Sequence, residues 1–343
     1  MPDTGKIDRP FFEEYLATRL GATREDVRKG PKHGVDFGVV EVGEHALVVA
    51  TDPISILPEL GYERAGRFAL QFVLADVAVS GLVPTHLAVS FDLPPEMDDD
   101  EFAAVWRGID GECRDLGVSV VTGHTARYED CSFPWIGHGT AFAVGNPDDI
   151  VYPDGARPGD ALLVTKGPAV EATGLLATLF PDQISLSEEL RSTAQERVDE
   201  TDSVRDATTA AAAGGVRAMH DATEGGLLGA LHEMAASAGV KLVVDSAEVP
   251  VRPGVRETCD ALEMDPWRAT TGGTLVIAVD PDCIDGVVDA LEARETPVAV
   301  VGHVEEGGGV ILDEKRTEPP AGDASWPVYE RLLAERSDET KTE

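Results

Sequence analysis

The amino-acid sequence predicts a two-domain protein of the α/β class. Strand-like segments alternate along the chain with helix-like segments, in which apolar residues recur every three or four positions. The chain has 343 residues, about twice the size of a common domain. A stretch rich in proline, glycine and aspartate, 145–160, separates two halves of similar size. We therefore expect one domain in each half.

The first half contains the elements of an α/β domain. Asp8 is a candidate N-cap for a first helix whose apolar face runs from Phe11 to Leu20. A later helix has acidic residues in its first turn, where the helix dipole favours them, and an apolar face from Phe102 to Leu116. The remaining predicted elements are a helix near 62–80 and strands near 35–42, 46–51, 85–93, 118–122 and 135–144.

The second half repeats the alternation with more helices. Its predicted strands are 161–167, 241–245, 274–280 and 297–304, and its predicted helices lie near 168–180, 202–213, 225–238, 253–262 and 281–294. We place an N-terminal domain at 1–150 and a C-terminal domain at 157–315. Residues 316–343 are rich in proline and acidic residues, and we expect an acidic, frayed tail with one short helix at 330–336.

The charge of the chain excludes some classes of partner. There are 28 basic and 63 acidic residues, a formal charge of −35, which repels nucleic-acid phosphates and anionic membranes. Only seven of the basic residues are lysines. Abundant acid with scarce lysine is typical of the cytosolic proteins of halophiles, so we expect a haloarchaeal protein whose fold weakens at low salt.

The sequence predicts a cytoplasmic location. No apolar stretch approaches the roughly 18 residues that a membrane span requires, and the first residues lack a signal-peptide pattern. The four cysteines are far apart and form no C-x-x-C pair, which excludes a zinc ribbon and a disulfide scaffold.

Three aspartates in the first half are candidate ligands. Asp36 and Asp52 lie at strand ends, and each alone is compatible with an ordinary turn carboxylate. Asp76 lies inside a helix, beside the apolar residues Phe72 and Val73. A carboxylate there must be paired, hydrogen-bonded or bound to a metal. Carboxylates that converge from separate elements commonly hold Mg²⁺ and a polyphosphate.

Two further segments allow either a ligand site or an ordinary turn. Gly123, His124 and Thr125 follow a strand, and glycine there would let the backbone approach a ligand closely. Lys166 ends a strand directly before a helix that contains Glu171, an arrangement that suits an anion.

The segment 219–227 carries the most specific pattern. Asp221, Thr223 and Glu224 precede two glycines and a long amphipathic helix. A helix cap explains one polar residue but not three followed by paired glycines. The pattern predicts a ligand loop at a helix N-terminus. The sequence contains no P-loop, G-x-G-x-x-G, G-x-S-x-G or H-E-x-x-H motif.

Together these segments resemble the aminoimidazole-ribotide (AIR) synthase-related superfamily, over roughly residues 5–313. The resemblance is carried by GVDFGVVEV around Asp36, VVATDP around Asp52, LADVAVSGLVPTHLAVSFDLP around Asp76 and MHDATEGGLLGALHEMAASAGV around Asp221. The runs that begin at Val249 and Val300 are most similar to the branch that contains the hydrogenase maturation factor HypE.

The resemblance implies a PurM-like fold, with a dimerising N-terminal α/β domain whose strands join those of the partner, and a C-terminal α+β domain. It implies ATP and Mg²⁺ in the cleft between the domains. Asp36, Asp52 and Asp76 would be metal and cofactor ligands, and Gly123 and Thr125 would also contact the cofactor. The catalytic candidates are Asp221, Glu224, His124 and Lys166. The implied activity is activation of an amide or carbonyl oxygen, or phosphate transfer to a small molecule.

Several positions depart from the HypE pattern. The sequence ends SDETKTE, where HypE has the cysteine that carries its carbamoyl group. His124 replaces an aspartate, Glu224 an arginine and Ala75 an asparagine. We therefore expect a different substrate from that of HypE. The alternatives are a non-catalytic scaffold dimer that serves a maturation partner protein, a small-molecule kinase similar to thiamine-monophosphate kinase, and a metabolite-binding protein without ATP.

Overall fold

The computed structural model describes residues 5–7 and 9–342, and for 338–342 only the backbone. Asp8, the predicted first N-cap, lies outside the described residues. The first helix is shorter than predicted, because α1 (Arg9–Phe11) continues only as a wider turn over Phe12–Leu16. Within the described ranges, none of the helices is both long and apolar enough to cross a membrane.

The first half forms a six-stranded sheet in the order β1-β2-β3-β6-β4-β5. Only the pair β4 and β5 is parallel. The strands are β1 Val27–Lys29, β2 Gly38–Val42, β3 His45–Ser55, β4 His86–Leu93, β5 Ser119–Arg127 and β6 Trp135–Gly145.

Two helices, α2 (Tyr62–Ala78) and α3 (Asp99–Leu116), form the helical layer of this half, and α2 packs on β3 and β6. Side chains alternate along β3, so that Ala46, Val48 and Ala50 are buried on the side that faces α2. The opposite face of the sheet is less covered, and Val144 on β6 is 48% exposed.

The second half forms a seven-stranded mixed sheet in the order β13-β12-β9-β11-β7-β10-β8. Its strands are β7 Ala161–Thr165, β8 Val216–Ala222, β9 Lys241–Val244, β10 Thr274–Val279, β11 Val298–Glu305, β12 Gly309–Leu312 and β13 Lys315–Thr317. Its helices are α4 Val170–Leu179, α5 Glu188–Gln195, α6 Val204–Ala213, α7 Gly226–Ala238, α8 Val255–Leu262, α9 Ile284–Glu292 and α10 Ser325–Thr342. The neighbouring interior strands β7 and β10 are buried along their whole length.

The prediction of a frayed tail is wrong for most of the C-terminal segment. Residues Ser325–Thr342 form helix α10, and Val328 and Leu332 are buried against residues of α4 and α8. The predicted short helix at 330–336 is the middle of this longer one. The composition of the segment is polar, but its few apolar residues fall on one side of the helix and reach a neighbouring core.

One hydrophobic core contains residues of both halves. Residues of α2 and β3 pack in the same cluster as residues of α6, β8 and β10, with Met219 of β8 among them. At the same junction Arg205 of α6 forms an ion pair with the buried carboxylate of Glu112 on α3, at 2.6 Å. The contact between the halves is therefore closely packed, and it fixes the position of β8 against α2.

Candidate active site between the two halves

Asp52 and Asp76 meet on the inner face of the first sheet. Asp52 is on the side of β3 that faces α2, and its carboxyl group is hydrogen-bonded to that of Asp76. Burial raises the pKa of Asp52 to about 6, although the hydrogen bond to Asp76 opposes this shift. Burial, with the charges of Asp52 and Asp221, raises the pKa of Asp76 well above its usual value. Both groups are therefore protonated more readily than exposed carboxyls.

Asp221 reaches the same place from the second half. It is in strand β8 rather than in the predicted ligand loop, and it is 4% exposed. Burial and the charge of Asp36 raise its pKa to about 7, against the opposing effect of His220. Residues 219 and 221 of β8 face α2, whereas residues 218, 220 and 222 face α7, because side chains alternate along a strand.

His220 therefore points to the other side of β8, where three charged groups surround it. Its Nε2 lies 2.9 Å from Glu233 Oε2 on α7, and its Nδ1 lies 2.7 Å from Asp36 Oδ2. Lys6 Nζ donates to Glu233 Oε1 at 3.1 Å. Burial lowers the pKa of His220, but Asp36 and Glu233 together raise it well above its usual value. The same contacts hold the pKa of Glu233 well below its usual range.

Asp36, His220 and Asp221 form a group of potential metal ligands. Their oxygen and nitrogen atoms all lie within 4.8 Å of one another. Asp36 comes from the loop before β2, and the other two come from β8, the last strand of its sheet. The group thus unites both halves of the chain. It is adjacent to Asp52 and Asp76. The charge of Asp52 raises the pKa of Asp221, and the charges of Asp36 and Asp221 raise the pKa of Asp76.

Glu224 and Glu171 form a second acidic wall of the site. Glu224 Oε2 accepts a hydrogen bond from the backbone N–H of Lys6 at 2.6 Å, and burial raises its pKa. Glu171 accepts from the Thr270 hydroxyl at 2.7 Å and from the Gly272 N–H at 2.9 Å. Burial raises the pKa of Glu171 to about 7, so this group can hold a proton near neutral pH.

Gly123, His124 and Thr125 are not brought to this site within one chain. They belong to β5, an exposed edge strand, rather than to the predicted loop. Gly123 is in register with Asp52 through β4 and β6, three strand spacings away, or about 14 Å. A Cβ at Gly123 would lie 2.4 Å from the Val89 carbonyl oxygen, so glycine permits the close approach of two strands.

Lys166 also lies apart from the carboxylates that face α2. Its ammonium forms a buried ion pair with Asp206 on α6, at 2.8 Å. Asp206 also accepts from the Thr296 hydroxyl at 2.6 Å and pairs with Arg294 at 3.2 Å. This network holds the end of β7 against α6, and it gives Lys166 a partner other than a ligand.

Both halves of the chain match known protein domains. Residues 34–145 match the N-terminal domain of AIR synthase related proteins, and residues 157–315 match the C-terminal domain. Carbamoyl dehydratase HypE from Escherichia coli is 31% identical over 309 residues, which cover 88% of this chain and 87% of that relative. The chain belongs to the AIR synthase-related family. HypE from Rhizobium leguminosarum is 28% identical, over 82% of this chain and 83% of the relative.

Solved structures of this family share the two-domain, PurM-like fold. E. coli HypE superposes with a TM-score of 0.70 and is 27% identical, over 82% of this chain and 88% of the other. A thiamine-monophosphate kinase, AaThiL, complexed with AMPPCP and TMP, has a TM-score of 0.69 over 84% of this chain and 90% of the other. HypE in complex with ATP has a TM-score of 0.67 over 92% of this chain and 96% of the other. The last two are each 23% identical and establish the fold alone.

In this family member, sequence reasoning missed three residues of the site. Lys6, His220 and Glu233 all contact the ligand group or one another. His220 had a local signal, because it directly precedes Asp221 in a strand whose sides alternate. Lys6 and Glu233 had none, since they are separated by 227 positions and meet only in the folded chain.

Proposed function

We propose that this protein is an ATP- and Mg²⁺-dependent enzyme that activates an amide or carbonyl oxygen of a small molecule, or transfers phosphate to it. One observation carries the proposal. Asp52, Asp76 and Asp221 are forced together by the fold, and the pKa of each is raised. Such a concentration of carboxyl groups is unfavourable without a ligand and fits a divalent cation.

Each part of the site has a role in this proposal. Asp36, Asp52 and Asp76 would hold Mg²⁺ with the phosphates, and Asp221 and Glu224 would face the substrate from the second half. Bound Mg²⁺–ATP would supply a phosphoryl group for transfer to oxygen. Glu171, with its pKa near 7, can keep a proton available at the acidic wall. Lys166 would act indirectly, by holding the end of β7.

The relatives favour oxygen activation over a kinase activity. The relative that is 31% identical is a carbamoyl dehydratase, an enzyme that removes water from a carbamoyl group. The thiamine-monophosphate kinase is similar at the level of the fold only. The products distinguish the two reactions, because a dehydration releases inorganic phosphate whereas a kinase leaves phosphate on its substrate. A non-catalytic scaffold that serves a maturation partner would form neither product.

The test is calorimetric titration of ATP into the purified protein in molar KCl, with and without Mg²⁺. We expect micromolar binding that requires Mg²⁺. Asp76→Asn should abolish this binding while the folded state persists, because it removes a central ligand and also relieves repulsion. Asp115→Asn, the same change at an exposed position of α3, is the matched control.

Two results would contradict the proposal. Nucleotide binding that is unchanged in Asp76→Asn would place the nucleotide elsewhere. A folded protein that binds no ATP with Mg²⁺ would leave the scaffold as the better hypothesis, and its partner protein would then be the subject of the search.

We further propose a homodimer in the cytoplasm of a halophile. The outward face of the first sheet supports the dimer, since it carries Leu47, Val49, Phe142 and Val144 on adjacent strands without a helical layer. The four cysteines are free thiols, in keeping with a reducing compartment. The charge of −35 supports the halophilic habitat.

A further inference from the structure

The imidazole of His220 has the surroundings of a metal ligand rather than of a core histidine. The residue is 2% exposed. Its Nδ1 faces two carboxylates of the site, Asp36 Oδ2 at 2.7 Å and Asp221 Oδ1 at 3.8 Å. Its Nε2 faces away from them, toward Glu233.

Two buried atoms at this point lack a hydrogen-bond partner. His220 Nδ1 and Asp36 Oδ2 form a close ion pair, but their mutual orientation does not meet the geometry of a hydrogen bond, and neither atom is hydrogen-bonded to any other described residue. Buried polar atoms are rarely left in this state. Two adjacent ligands of an octahedral cation with bonds of about 2.1 Å lie about 3 Å apart, close to the separation seen here. A shared cation would satisfy both atoms.

The other side of the ring supports the same conclusion. Nε2 and Glu233 Oε2 are 2.9 Å apart, and Lys6 anchors the second carboxylate oxygen of Glu233. Histidines that bind metals usually donate their remaining ring N–H to a carboxylate in this way, which fixes the tautomer and orients the ring. A bound cation would displace the proton from Nδ1, and with the remaining proton on Nε2 the lone pair of Nδ1 would be directed at the ion.

The geometry points to a binding site for a first-row transition-metal dication such as Mn²⁺, formed by Asp36, His220 and Asp221. An imidazole nitrogen is a better ligand for first-row transition-metal dications than for Mg²⁺, which prefers oxygen ligands alone, and Mn²⁺ serves as the paramagnetic member of that series. The site shares Asp36 and Asp221 with the site of the proposed function, but its metal can be tested without nucleotide. Asp52 and Asp76 remain available as oxygen ligands for Mg²⁺.

The experiment measures metal binding to the full chain without nucleotide. Free Mn²⁺ is followed by electron paramagnetic resonance in molar KCl, and Mg²⁺ affinity is obtained by competition. In His220→Asn, the ratio of Mn²⁺ affinity to Mg²⁺ affinity should fall at least about tenfold. His303→Asn, an exposed histidine that pairs with Glu305, is the matched control and should leave the ratio unchanged.

A spectroscopic measurement keeps the proposal testable if the variant fails to fold. Mn²⁺ bound to the wild-type protein should show electron spin-echo modulation from a directly coordinated ¹⁴N. Absence of this modulation overturns the proposal, and so does an affinity ratio that His220→Asn leaves unchanged. Glu233→Gln, which removes the charge of the group behind the ring, should weaken Mn²⁺ binding about 10- to 100-fold.

Failure of this inference is distinguishable from failure of the proposed function. If Mg²⁺ supports ATP binding but no nitrogen is coordinated, the function stands and His220 is a structural residue. If nitrogen-coordinated Mn²⁺ is found but no nucleotide binds with either metal, the metal site stands and the proposed function falls.

Discussion

Among the described residues, only neutral groups donate hydrogen bonds to the carboxyl group of Glu171. The Thr270 hydroxyl and the Gly272 N–H donate to one of its oxygens, and Phe72 of α2 lies beside Gly272. No cation is among the causes of its shifted pKa, whereas Asp323 and Glu224 add further negative charge. The group is therefore stabilised mainly in its protonated form.

Glu171→Gln should make the protein more stable at pH 8 and should have little effect at pH 4.5 or below. Glutamine keeps the acceptor oxygen but cannot ionise. In the wild type, the pKa is about 7 in the folded state and near 4.5 in the unfolded state. As pH rises from 4.5 through 7, the unfolded state releases the proton first, and the folded state loses relative stability. The full difference, at about 1.4 kcal/mol for each pKa unit, is about 3 kcal/mol.

Denaturant unfolding of both proteins at several pH values in molar KCl measures this difference. Glu257→Gln, an exposed position on α8, serves as the control with the same chemical change. If the wild type and Glu171→Gln have parallel pH profiles, Glu171 ionises like an exposed acid and supplies no proton near neutral pH.

At the scale of the elements, helix α10 secures the second half of the molecule. Leu332 is 2% exposed and packs in a cluster that includes Phe180 and Leu262. The segment that leads into α10 also reaches the site, since Asp323 accepts a hydrogen bond from the Gly225 N–H at 2.8 Å. The helix thus connects a peripheral core with the loop that carries Glu224.

Leu332→Ala should lower the free energy of unfolding by about 2–4 kcal/mol, because it removes a buried side chain and leaves a cavity. Glu335→Ala, at an exposed position of the same helix, should change it by less than about 0.5 kcal/mol. Thermal or denaturant unfolding in molar KCl measures both. Equal effects of the two substitutions would mean that α10 does not pack as described.

Strand β8 explains why two neighbouring residues take different parts in the site. Asp221 joins the carboxylates on α2 and β3, while His220 meets Glu233 on α7. A strand that ends its sheet also leaves one edge free, so the loop that carries Asp36 can approach both residues. The alternation is visible in the sequence, but the identity of the two layers is not.

At the scale of the whole molecule, charge opposes association and the open sheet face favours it. Each chain carries a formal charge of −35. Two such chains repel one another strongly at low ionic strength. In 1 M salt, the repulsion between charges more than about 3 Å apart is largely screened.

We expect light scattering to show monomers in dilute salt and dimers in molar KCl. Val144→Glu, on the open face, should keep the chain monomeric in molar KCl without unfolding it. Val251→Glu, which replaces a 46% exposed valine of the second half, should leave the dimer intact. Dimers that persist in Val144→Glu would exclude this face as the interface.

Much of the fold and part of the site could be predicted from the sequence. Periodicity located most helices and strands, and Asp36, Asp52, Asp76 and Asp221 were recognised as a set. Helix α5 was missed because it is short and polar, and strand β8 was missed because its end was interpreted as part of a ligand loop. The roles of Lys166 and His124 stay predictions: within one chain, Lys166 is in a buried ion pair and His124 is on an exposed strand.

The sequence by itself determined the α/β class, and it predicted the break between the halves and the acidic residues that could act. The class, the break and the acidic residues each depend on patterns among residues that are close in sequence, and such patterns can be read from the sequence alone. Only the tertiary structure decided which side chains meet. The order of strands in two sheets and the packing of β8 against α2 bring Lys6, Asp36, Asp76, His220 and Glu233 together. Proximity of this kind arises from long-range packing, and no local periodicity records it.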